Sequence, residues 1–585
     1  MKKLLKNFLL TAAVAATGLT SCKKMLDVEP KDQLDATQMY RNVYDADAAI
    51  IGIYGKFQGL AERYILLNEL RADMLDFTSN ADQYIRQLST HTVTTDNPYA
   101  SPRPFYEVII NCNDALKHFN SMRQENKLKE SEYQQRYADI ACLRAFLYLQ
   151  LGIHYGHVPY VTSALETIDE VKDESKFPRL SFNTLLDSLI NSTENLPFKD
   201  LYPAGTTLNI TADGYPTEKW FINKKCLLGD LYLWKGDYVK AATWYRDVLE
   251  TSTTGTQDRR YFMMYKLGWD GGNYDNYITY SRAGDATTLV TSNQWRSMFE
   301  RGMNEDGFKL EWIWAIPFDS KFQPENPFVK LFSPVGGSYL VKPSKQAMDM
   351  WKSQQQKDAQ GSPGIPYDAR GLLTWRDIGG QPVVMKYLYN YLNYTNNLPA
   401  NIMQKNSKWF LYRQTHLHLR FAEAANRTGR PRLAWGFLNN GIGGAYAPPS
   451  GASDVTDYQN TLWDSYPFNF DARNSGSSGI PYYRSDWYRN LGVRSRANLT
   501  NITVPASDSL LTIENALVNE TGLENAYEGT RWPDLLRIAL RRNDFSFVGK
   551  KVADKLRKDG LPAEATRAEA KLSNKEGMYL PFVWK

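Results

Sequence analysis

The sequence predicts a mainly α-helical protein, in which a scaffold of helix pairs carries long irregular loop insertions and little β structure. Three observations predict this fold class. Apolar residues recur at spacings of three and four in several segments, Gly and Pro separate neighbouring periodic segments, and two long stretches are rich in Gly, Pro, Asn, Tyr and Trp. Periodic segments of this kind form amphipathic helices, and stretches rich in turn residues form loops.

Residues 1–21 have the pattern of an export signal. Lys2, Lys3 and Lys6 form a basic start, and residues 8–19 form a short apolar stretch that ends in small residues. A membrane-spanning helix needs about 20 apolar residues, and this stretch is shorter. The pattern therefore predicts a signal peptide rather than a transmembrane helix.

The end of this signal is similar to a bacterial lipobox, because Leu19, Thr20 and Ser21 directly precede Cys22. In such signals the cysteine sulfur takes a diacylglycerol, cleavage falls before the cysteine, and the new amino group is usually acylated too. Two or more acyl chains anchor a protein stably. We therefore expect a lipoprotein whose mature chain begins at Cys22. A chance cysteine after an ordinary signal is the alternative.

Charge and cysteine content exclude two classes of protein. The signal holds three lysines and no acids, so its removal lowers the net charge from +5 to +2. The mature chain thus has no strong electrostatic attraction to nucleic acid. Three cysteines follow Cys22, all in apolar helical contexts, and we expect buried packing residues rather than a disulfide framework, with one pairing as the alternative: Cys112, Cys142 and Cys226.

The strongest helix-pair pattern lies in residues 219–250. Its first helix stops at the Lys235-Gly236-Asp237 break, and its second runs from Tyr238 to Leu249. Small and aromatic residues stand where the tetratricopeptide repeat lets two antiparallel helices approach each other: Gly229, Tyr232, Ala241 and Tyr245.

A second pair lies in "FLYRQTHLHLRFAEAANRTGRPRLAWGFLNNGI". Its first helix ends near Arg427, Gly429 is the stop, and Pro431 stands in the first turn of the partner helix. Further helices are predicted in three earlier segments: residues 105–122, 133–151 and 181–196.

The long insertions are residues 251–407 and 441–510. Disordered segments are poor in aromatic residues, whereas these are rich in them, so we expect the insertions to fold. Loops of this length in a compact protein tend to be functional. Rings beside Asn, Asp and Arg suit a neutral polar ligand, because the ring covers an apolar patch while the polar groups take hydroxyls or peptide groups.

No catalytic signature is present in the sequence. It holds no HExxH, P-loop, GxSxG or EF-hand pattern. His416 and His418 point to different faces of a helix, and neither they nor His154 and His157 have the further partners of a metal site. We therefore expect no enzyme, no metal and no cofactor. A surface glycoside hydrolase is an alternative without positive support.

Several segments in order carry a resemblance to a known family. "SCKKMLDVEPKDQ", "RAFLYLQLGIHYGHVPYV", "LRFAEAANRTGRPRLAWGFLN" and the closing "YLPFVWK" are each weak, and "ENAYEGTRWPDLLR" is the most specific. Together they resemble the SusD/RagB outer-membrane lipoproteins of the Bacteroidetes over nearly the whole mature length. The resemblance divides the mature chain into an N-terminal SusD-like helical region, residues 22–250, and a C-terminal RagB/SusD region, residues 251–585.

The resemblance implies binding rather than catalysis. Members of this family capture glycans or peptides at the cell surface and deliver them to a TonB-dependent outer-membrane transporter of the SusC/RagA type. Glycan is favoured over peptide here, and a helical-repeat interaction scaffold without a small ligand is the alternative. Lys23 and Lys24 follow the lipid cysteine where many surface-exposed relatives carry acids. The sequence therefore predicts lipid anchoring more firmly than it predicts exposure of the protein on the outer side of the membrane.

The resemblance also implies where the ligand binds, region by region. The relatives use an early loop, the loop before the helix near residue 106, and the long insertion after residue 250. In this chain those regions offer Asp73, Asn97, Tyr99, Arg103, Trp269, Asp270, Asn273, Tyr274, Tyr277, Arg282 and Trp295. We expect a structural role for the EGTRW motif, with Arg531 paired to carboxylates and Trp532 packed under the loops.

Overall fold

The computed structural model describes most of the chain beyond residue 38. The described residues are 39–165, 176–250, 266–267, 277–278, 294–305, 311–357, 363–446, 464–470, 472, 487–488, 492–504, 507 and 509–584. The signal segment and Cys22 lie outside them.

Helices dominate the described residues. In chain order they are α1 Val43–Gln58, α2 Ala61–Ile65, α3 Gln83–Thr90, α4 Arg103–Gln124, α5 Glu130–Tyr155, α6 Phe182–Glu194, α7 Lys224–Lys235, α8 Tyr238–Glu250, α9 Gln294–Glu300, α10 Pro327–Phe332, α11 Lys345–Lys352, α12 Ala369–Thr374, α13 Gln414–Arg427, α14 Pro431–Leu438, α15 Gly441–Ala445, α16 Val493–Arg496, α17 Ser509–Glu524, α18 Arg531–Arg542, α19 Ser546–Lys558 and α20 Pro562–Lys571. A π-helical turn, Leu66–Leu70, follows α2 directly. The predicted fold class, mainly helical with little β structure, is confirmed.

Strands are short and form two-stranded pairs. They are β1 Leu75–Phe77, β2 His157–Pro159, β3 Arg179–Ser181, β4 Thr211–Ala212, β5 Tyr215–Pro216, β6 Lys266–Leu267, β7 Tyr277–Ile278, β8 Trp312–Phe318, β9 Val341–Pro343, β10 Gln355–Lys357, β11 Pro363–Pro366, β12 Trp375–Ile378, β13 Gln381–Val384 and β14 Ser407–Arg413. The pairs are β1–β9, β2–β3, β4–β5, β6–β7, β8–β14, β10–β11 and β12–β13.

The pair α7–α8 has the predicted tetratricopeptide-like packing. Asn223 caps α7 by accepting the Cys226 N–H at 3.0 Å, and Gly236 ends it in the left-handed region at φ 89°. The two helices approach closely because Gly229 carries no side chain: a Cβ there would lie 2.4 Å from the Tyr245 ring.

This close approach makes a prediction. Gly229→Ala should lower the free energy of unfolding by about 1–3 kcal/mol, since the added methyl group overpacks the helix contact. Gly55→Ala in α1 is the matched control, because a Cβ there meets nothing within 4 Å. That control should gain up to about 1 kcal/mol from helix propensity. Urea unfolding measures the free energy of unfolding of both variants. Equal values would contradict the close contact between Gly229 and Tyr245.

The second predicted pair is also found, as α13 and α14. The first helix ends at Arg427, and Pro431 is the first residue of the second. The residues before it, 407–413, form β14 and pair antiparallel with β8. The helices predicted in residues 105–122, 133–151 and 181–196 are α4, α5 and α6.

The β8–β14 pair lies in the core, between the N-terminal helices and the C-terminal half. The Phe57 ring of α1 stacks on Trp314 of β8 and Trp409 of β14, at centroid distances of 5.5 and 4.8 Å. On the other side, Trp312 stacks on Phe410 at 4.2 Å. The aromatic residues of this part of the insertion therefore hold it onto the helical scaffold.

The three cysteines of the described part of the chain are buried and unpaired: Cys112, Cys142 and Cys226. Burial raises the pKa of the Cys112 thiol to about 12. The prediction of packing residues is confirmed. Among the described residues, no helix has the length and apolar character that a membrane crossing requires.

Candidate ligand-binding site

The first predicted binding region is the loop between α3 and α4, residues 91–102. Asn97 caps a short 3₁₀ turn in this loop by accepting the Tyr99 N–H at 3.0 Å. Its amide group donates to the Tyr84 carbonyl and to Gln87 Oε1, each at 2.9 Å. Asn97 is buried, so its role in this structure is to shape the turn that carries Tyr99.

Arg63 of α2 fixes the backbone of the same loop through hydrogen bonds. Its Nη1 donates to the carbonyl oxygens of Pro98 at 2.8 Å and Ser101 at 3.3 Å, and also to that of Tyr99. The Tyr155 hydroxyl donates to the Ala100 carbonyl at 2.8 Å. Four successive carbonyls are thus fixed. The half-buried Tyr99 ring is carried on a rigid backbone, which lowers the entropic cost of binding a ligand.

Arg103 stands at the start of α4, next to this loop. It pairs with Glu107 at 3.0 Å, and the two side chains are 66% and 58% exposed. An exposed pair of this kind contributes little to stability. Both side chains are therefore available to hydroxyl groups of a ligand.

Two of the predicted residues lie in the core instead. Asp73 is fully buried and forms a bidentate ion pair with Arg531, with N–O distances of 2.6 and 2.8 Å. Burial opposes its ionisation, but the charge and hydrogen bonds of Arg531 outweigh this and hold the Asp73 pKa at about 2. Trp295 is buried as well, with its Nε1 3.3 Å from Thr374 Oγ1. In this structure both residues support the fold.

Most of the second binding region lies outside the described residues. This applies to Trp269, Asp270, Asn273, Tyr274 and Arg282. Tyr277 belongs to the two-residue strand β7, which pairs parallel to β6. The two residues of β6 contact α9, the helix that carries Trp295.

An aromatic platform next to α9 was not predicted from the sequence. The guanidinium carbons of Arg296 and Arg376 each lie 4.3 Å from the centroid of the half-buried Tyr394 ring. Arg376 also donates to the Tyr394 carbonyl at 2.5 Å. Tyr394 lies in the Asn-rich turn "YLNYTNN", and composition alone does not separate this turn from the other loops.

The EGTRW motif forms a buried clamp between the two ends of the chain. Glu69 of the π-helical turn accepts the N–H groups of Gly529 at 2.7 Å and Thr530 at 2.9 Å. Arg531 pairs with Asp73, as the motif's expected structural role requires. Trp532 is buried, and the guanidinium carbon of Arg71 lies 4.1 Å from the centroid of its ring. The Trp532 ring also contacts the ring of His91, the first residue of the Tyr99 loop.

A larger ion network extends from this clamp into the insertion. Arg413 of β14 binds Glu311, Glu524 and Glu528 at 2.7–2.9 Å, and all four side chains have no exposed surface. Lys386 joins Glu528 at 2.7 Å. These contacts fix the insertion, the β8–β14 pair and the C-terminal helices relative to one another.

The fold of this chain is similar to that of several solved SusD-like proteins. A SusD superfamily protein from Bacteroides vulgatus has a TM-score of 0.56 and 14% identity, covering 93% of this chain and 96% of that chain. A SusD-like carbohydrate-binding protein from Bacteroides fragilis has a TM-score of 0.55 and 15% identity, covering 86% and 88%. A laminarin-binding SusD-like protein has a TM-score of 0.51 and 16% identity, covering 90% and 98%.

One curated sequence is similar to this chain over a shorter span. The SusD-like protein P38 of Formosa agariphila is 26% identical over 201 residues, which are 33% of this chain and 37% of that protein's length. No family model matches the chain. The resemblance to the SusD/RagB family is confirmed through the fold, which these structures share over most of the chain.

Proposed function

Because the chain has the fold of the SusD-like proteins, we propose that it is a carbohydrate-binding protein without catalytic activity. The observation that carries the proposal is the Tyr99 loop, in which Asn97, Arg63 and Tyr155 fix the backbone that presents one ring. An aromatic ring beside polar groups suits a sugar, because the ring packs on the apolar C–H face of the sugar while the polar groups bind its hydroxyls. Two of the similar structures are a carbohydrate-binding and a laminarin-binding protein, which favours glycan over peptide.

The proposed site combines this loop with the insertion next to α9. We assign to it Tyr99 and Arg103 of the loop and, from the insertion, Tyr277 together with residues that lie outside the described part of the chain: Trp269, Asp270, Asn273, Tyr274 and Arg282. Tyr394 and its two arginines add a wall beside α9. Asp73, Asn97 and Trp295 support this site from within the protein and do not contact the ligand.

The proposed cellular role is based on the predicted signal and on the resemblance to the SusD/RagB family. The mature chain is anchored in the outer membrane by lipid on Cys22, captures glycan at the cell surface, and delivers it to a TonB-dependent transporter of the SusC/RagA type. A screen of neutral glycans and of peptides against the soluble chain lacking residues 1–22 tests the ligand class. Binding of glycans supports the proposal, whereas binding of peptides alone contradicts it, and hydrolysis of a bound glycan would contradict the absence of catalysis.

The site makes a quantitative prediction for Tyr99. Tyr99→Ala should weaken binding of the captured glycan by about 2 kcal/mol, or roughly thirtyfold, as the loss of an anchoring ring does. Isothermal titration measures the change. The matched control is Tyr44→Ala, since Tyr44 is an exposed ring (68%) on α1, outside the proposed site. If both variants bind like the wild type, the ligand does not use this loop.

The anchor makes a separate prediction. Cys22→Ala should remove the protein from the membrane fraction, because the acylated sulfur and the cleavage site are both lost. The variant should be soluble or retained with its signal attached. Detergent partitioning of cell extracts distinguishes the forms. Equal recovery of variant and wild type in the detergent phase would contradict lipid attachment at this cysteine.

A further inference from the structure

One tryptophan near the end of the described chain stays exposed. Trp584 is 46% exposed, whereas every other tryptophan that the structure describes is buried or half-buried. Tryptophan is enriched among the residues that carry binding energy at interfaces. An exposed tryptophan that is also held in place is therefore a candidate ligand contact. Trp584 belongs to the tail, residues 578–584.

The tail is fixed to the helical scaffold through its backbone. Arg71 donates from Nη2 to the Met578 carbonyl at 2.6 Å, and the Leu580 N–H donates to the His154 carbonyl at 2.9 Å. His154 lies in the last turn of α5, and Arg71 directly follows the π-helical turn. The tail is thus anchored at two points before it reaches Trp584.

The Phe582 ring connects the tail to the Tyr99 loop. Its centroid lies 5.5 Å from that of the Tyr155 ring. The Tyr155 hydroxyl in turn donates to the Ala100 carbonyl of the loop at 2.8 Å. One buried tyrosine therefore supports both segments, which places the tail next to the proposed glycan site.

The Trp584 ring is held by two other rings. Its centroid lies 4.8 Å from that of Tyr106, with an angle of 64° between the planes, and 5.1 Å from that of Phe582, with an angle of 86°. Edge-to-face contacts of this kind are favourable for aromatic pairs. They fix the Trp584 ring while part of it stays in solvent, and such preorganisation lowers the entropic cost of binding a ligand.

Tyr106 belongs to the first turns of α4, and this places Trp584 beside Arg103. Successive residues of an α-helix are rotated by about 100°, so Arg103 lies between Tyr106 and Glu107 around the helix. Residues three or four positions apart are neighbours on a helix surface. Ile110, which is 39% exposed, follows one turn later on the same side. Trp584 therefore borders the exposed Arg103–Glu107 pair.

This pair indicates which ligand the surface suits. The Arg103 guanidinium donates hydrogen bonds, the Glu107 carboxylate accepts them, and the two charges cancel. Sugar hydroxyls both donate and accept, so they match such a pair. The Trp584 ring and Ile110 offer apolar surface to the C–H face of a sugar. The combination favours a neutral sugar over an anion.

We propose that Trp584 and the Arg103–Glu107 pair form a second subsite of the glycan site, which binds a later sugar unit of a chain whose first units lie on Tyr99. The proposal rests on the proposed function. Tyr99 and Arg103 are four residues apart in the sequence, so their Cα atoms lie within about 14 Å of each other. One oligosaccharide can therefore contact both subsites.

Linear oligosaccharides of three and six units test the proposal. Glucose and mannose oligomers of the common linkages are titrated calorimetrically into the whole protein purified in detergent, with thermal melts as the folding control. For the oligomers that the wild type binds, Trp584→Ala should weaken binding of the six-unit form at least tenfold. It should weaken binding of the three-unit form less than threefold, because the shorter chain is held by the Tyr99 subsite.

Two further variants are matched to this one. Trp584→Phe keeps a ring at the same place, so it should weaken binding of the six-unit form less than threefold. Tyr44→Ala removes an exposed ring from α1 and should change neither affinity. Tyr44 lies away from the subsite, because Tyr40 at the same end of α1 stacks on His118, in the other half of α4.

A variant at Arg103 keeps the test decisive if Trp584→Ala melts early. Arg103→Met removes one partner of an exposed ion pair, so it should fold normally and weaken binding of the six-unit form at least threefold. Six-unit binding that Trp584→Ala and Arg103→Met leave unchanged, or losses that are equal for both lengths, would overturn the proposal.

The same titrations separate this proposal from the proposed function. If Tyr99→Ala weakens binding of both lengths while the variants at Trp584 and Arg103 change neither, only the second subsite is wrong. If the wild type binds none of these oligomers, the proposed function fails, and the second subsite fails with it.

Discussion

Replacing Arg413 with methionine is expected to lower the free energy of unfolding by about 3–5 kcal/mol. Arg413 has no exposed surface and binds Glu528 at 2.8 Å, Glu524 at 2.7 Å and Glu311 at 2.9 Å. Burial opposes the ionisation of Glu524, and the Arg413 charge leads the interactions that hold its pKa at about 2. Without this guanidinium, buried carboxylates lose their main partner.

Urea unfolding, with circular dichroism as the signal, measures this change in the free energy of unfolding. The matched control is Arg103→Met, which removes an arginine from an exposed ion pair and should cost no more than about 1 kcal/mol. If the free energy of unfolding of Arg413→Met lies within about 1 kcal/mol of the wild-type value, the ion network does not hold the insertion to the scaffold.

Gly529→Ala is expected to destabilise the protein by about 3 kcal/mol, through strain and overpacking together. Gly529 has φ +83°, a conformation that residues with a side chain rarely adopt. A Cβ there would lie 2.1 Å from Cε1 of Tyr64. The Gly529 N–H also donates to Glu69 at 2.7 Å, so any shift that relieves the clash loosens the clamp.

Gly560 provides the control for this substitution. It has nearly the same backbone conformation, φ +84°, but a Cβ there meets nothing within 4 Å. Gly560→Ala should therefore cost only the backbone strain, about 1–2 kcal/mol. The difference between the two variants in thermal or urea unfolding isolates the close approach to Tyr64. Equal losses would contradict the packing of the motif against α2.

The helix pairs could be predicted because their signals are local. The apolar period, the stop at Gly236 and the first-turn Pro431 each lie within a few residues of the boundary that they mark. The β8–β14 pair could not be predicted in this way. Its partners are about 90 residues apart in the sequence, as Trp409 and Ile316 are, and pairing over such a distance leaves no local pattern.

The site was predicted in part, and for similar reasons. The Tyr99 loop could be selected by its position in a family pattern, but Arg63, which fixes it, is 35 or more residues away. Asp73 belongs to an early loop segment, as expected, yet its carboxylate pairs with Arg531, 458 residues later. A buried ion pair and a ligand contact use the same residue types, so only the fold separates them.

The central claim is that loops, and not the helix repeats, bind a neutral glycan. Hydrogen–deuterium exchange of the protein with and without the captured glycan tests it most directly, because it reports every segment at once. The account predicts added protection in residues 91–103 and 251–293, with little change in α7 and α8. Protection confined to residues 224–250, or none at saturating glycan, would contradict it.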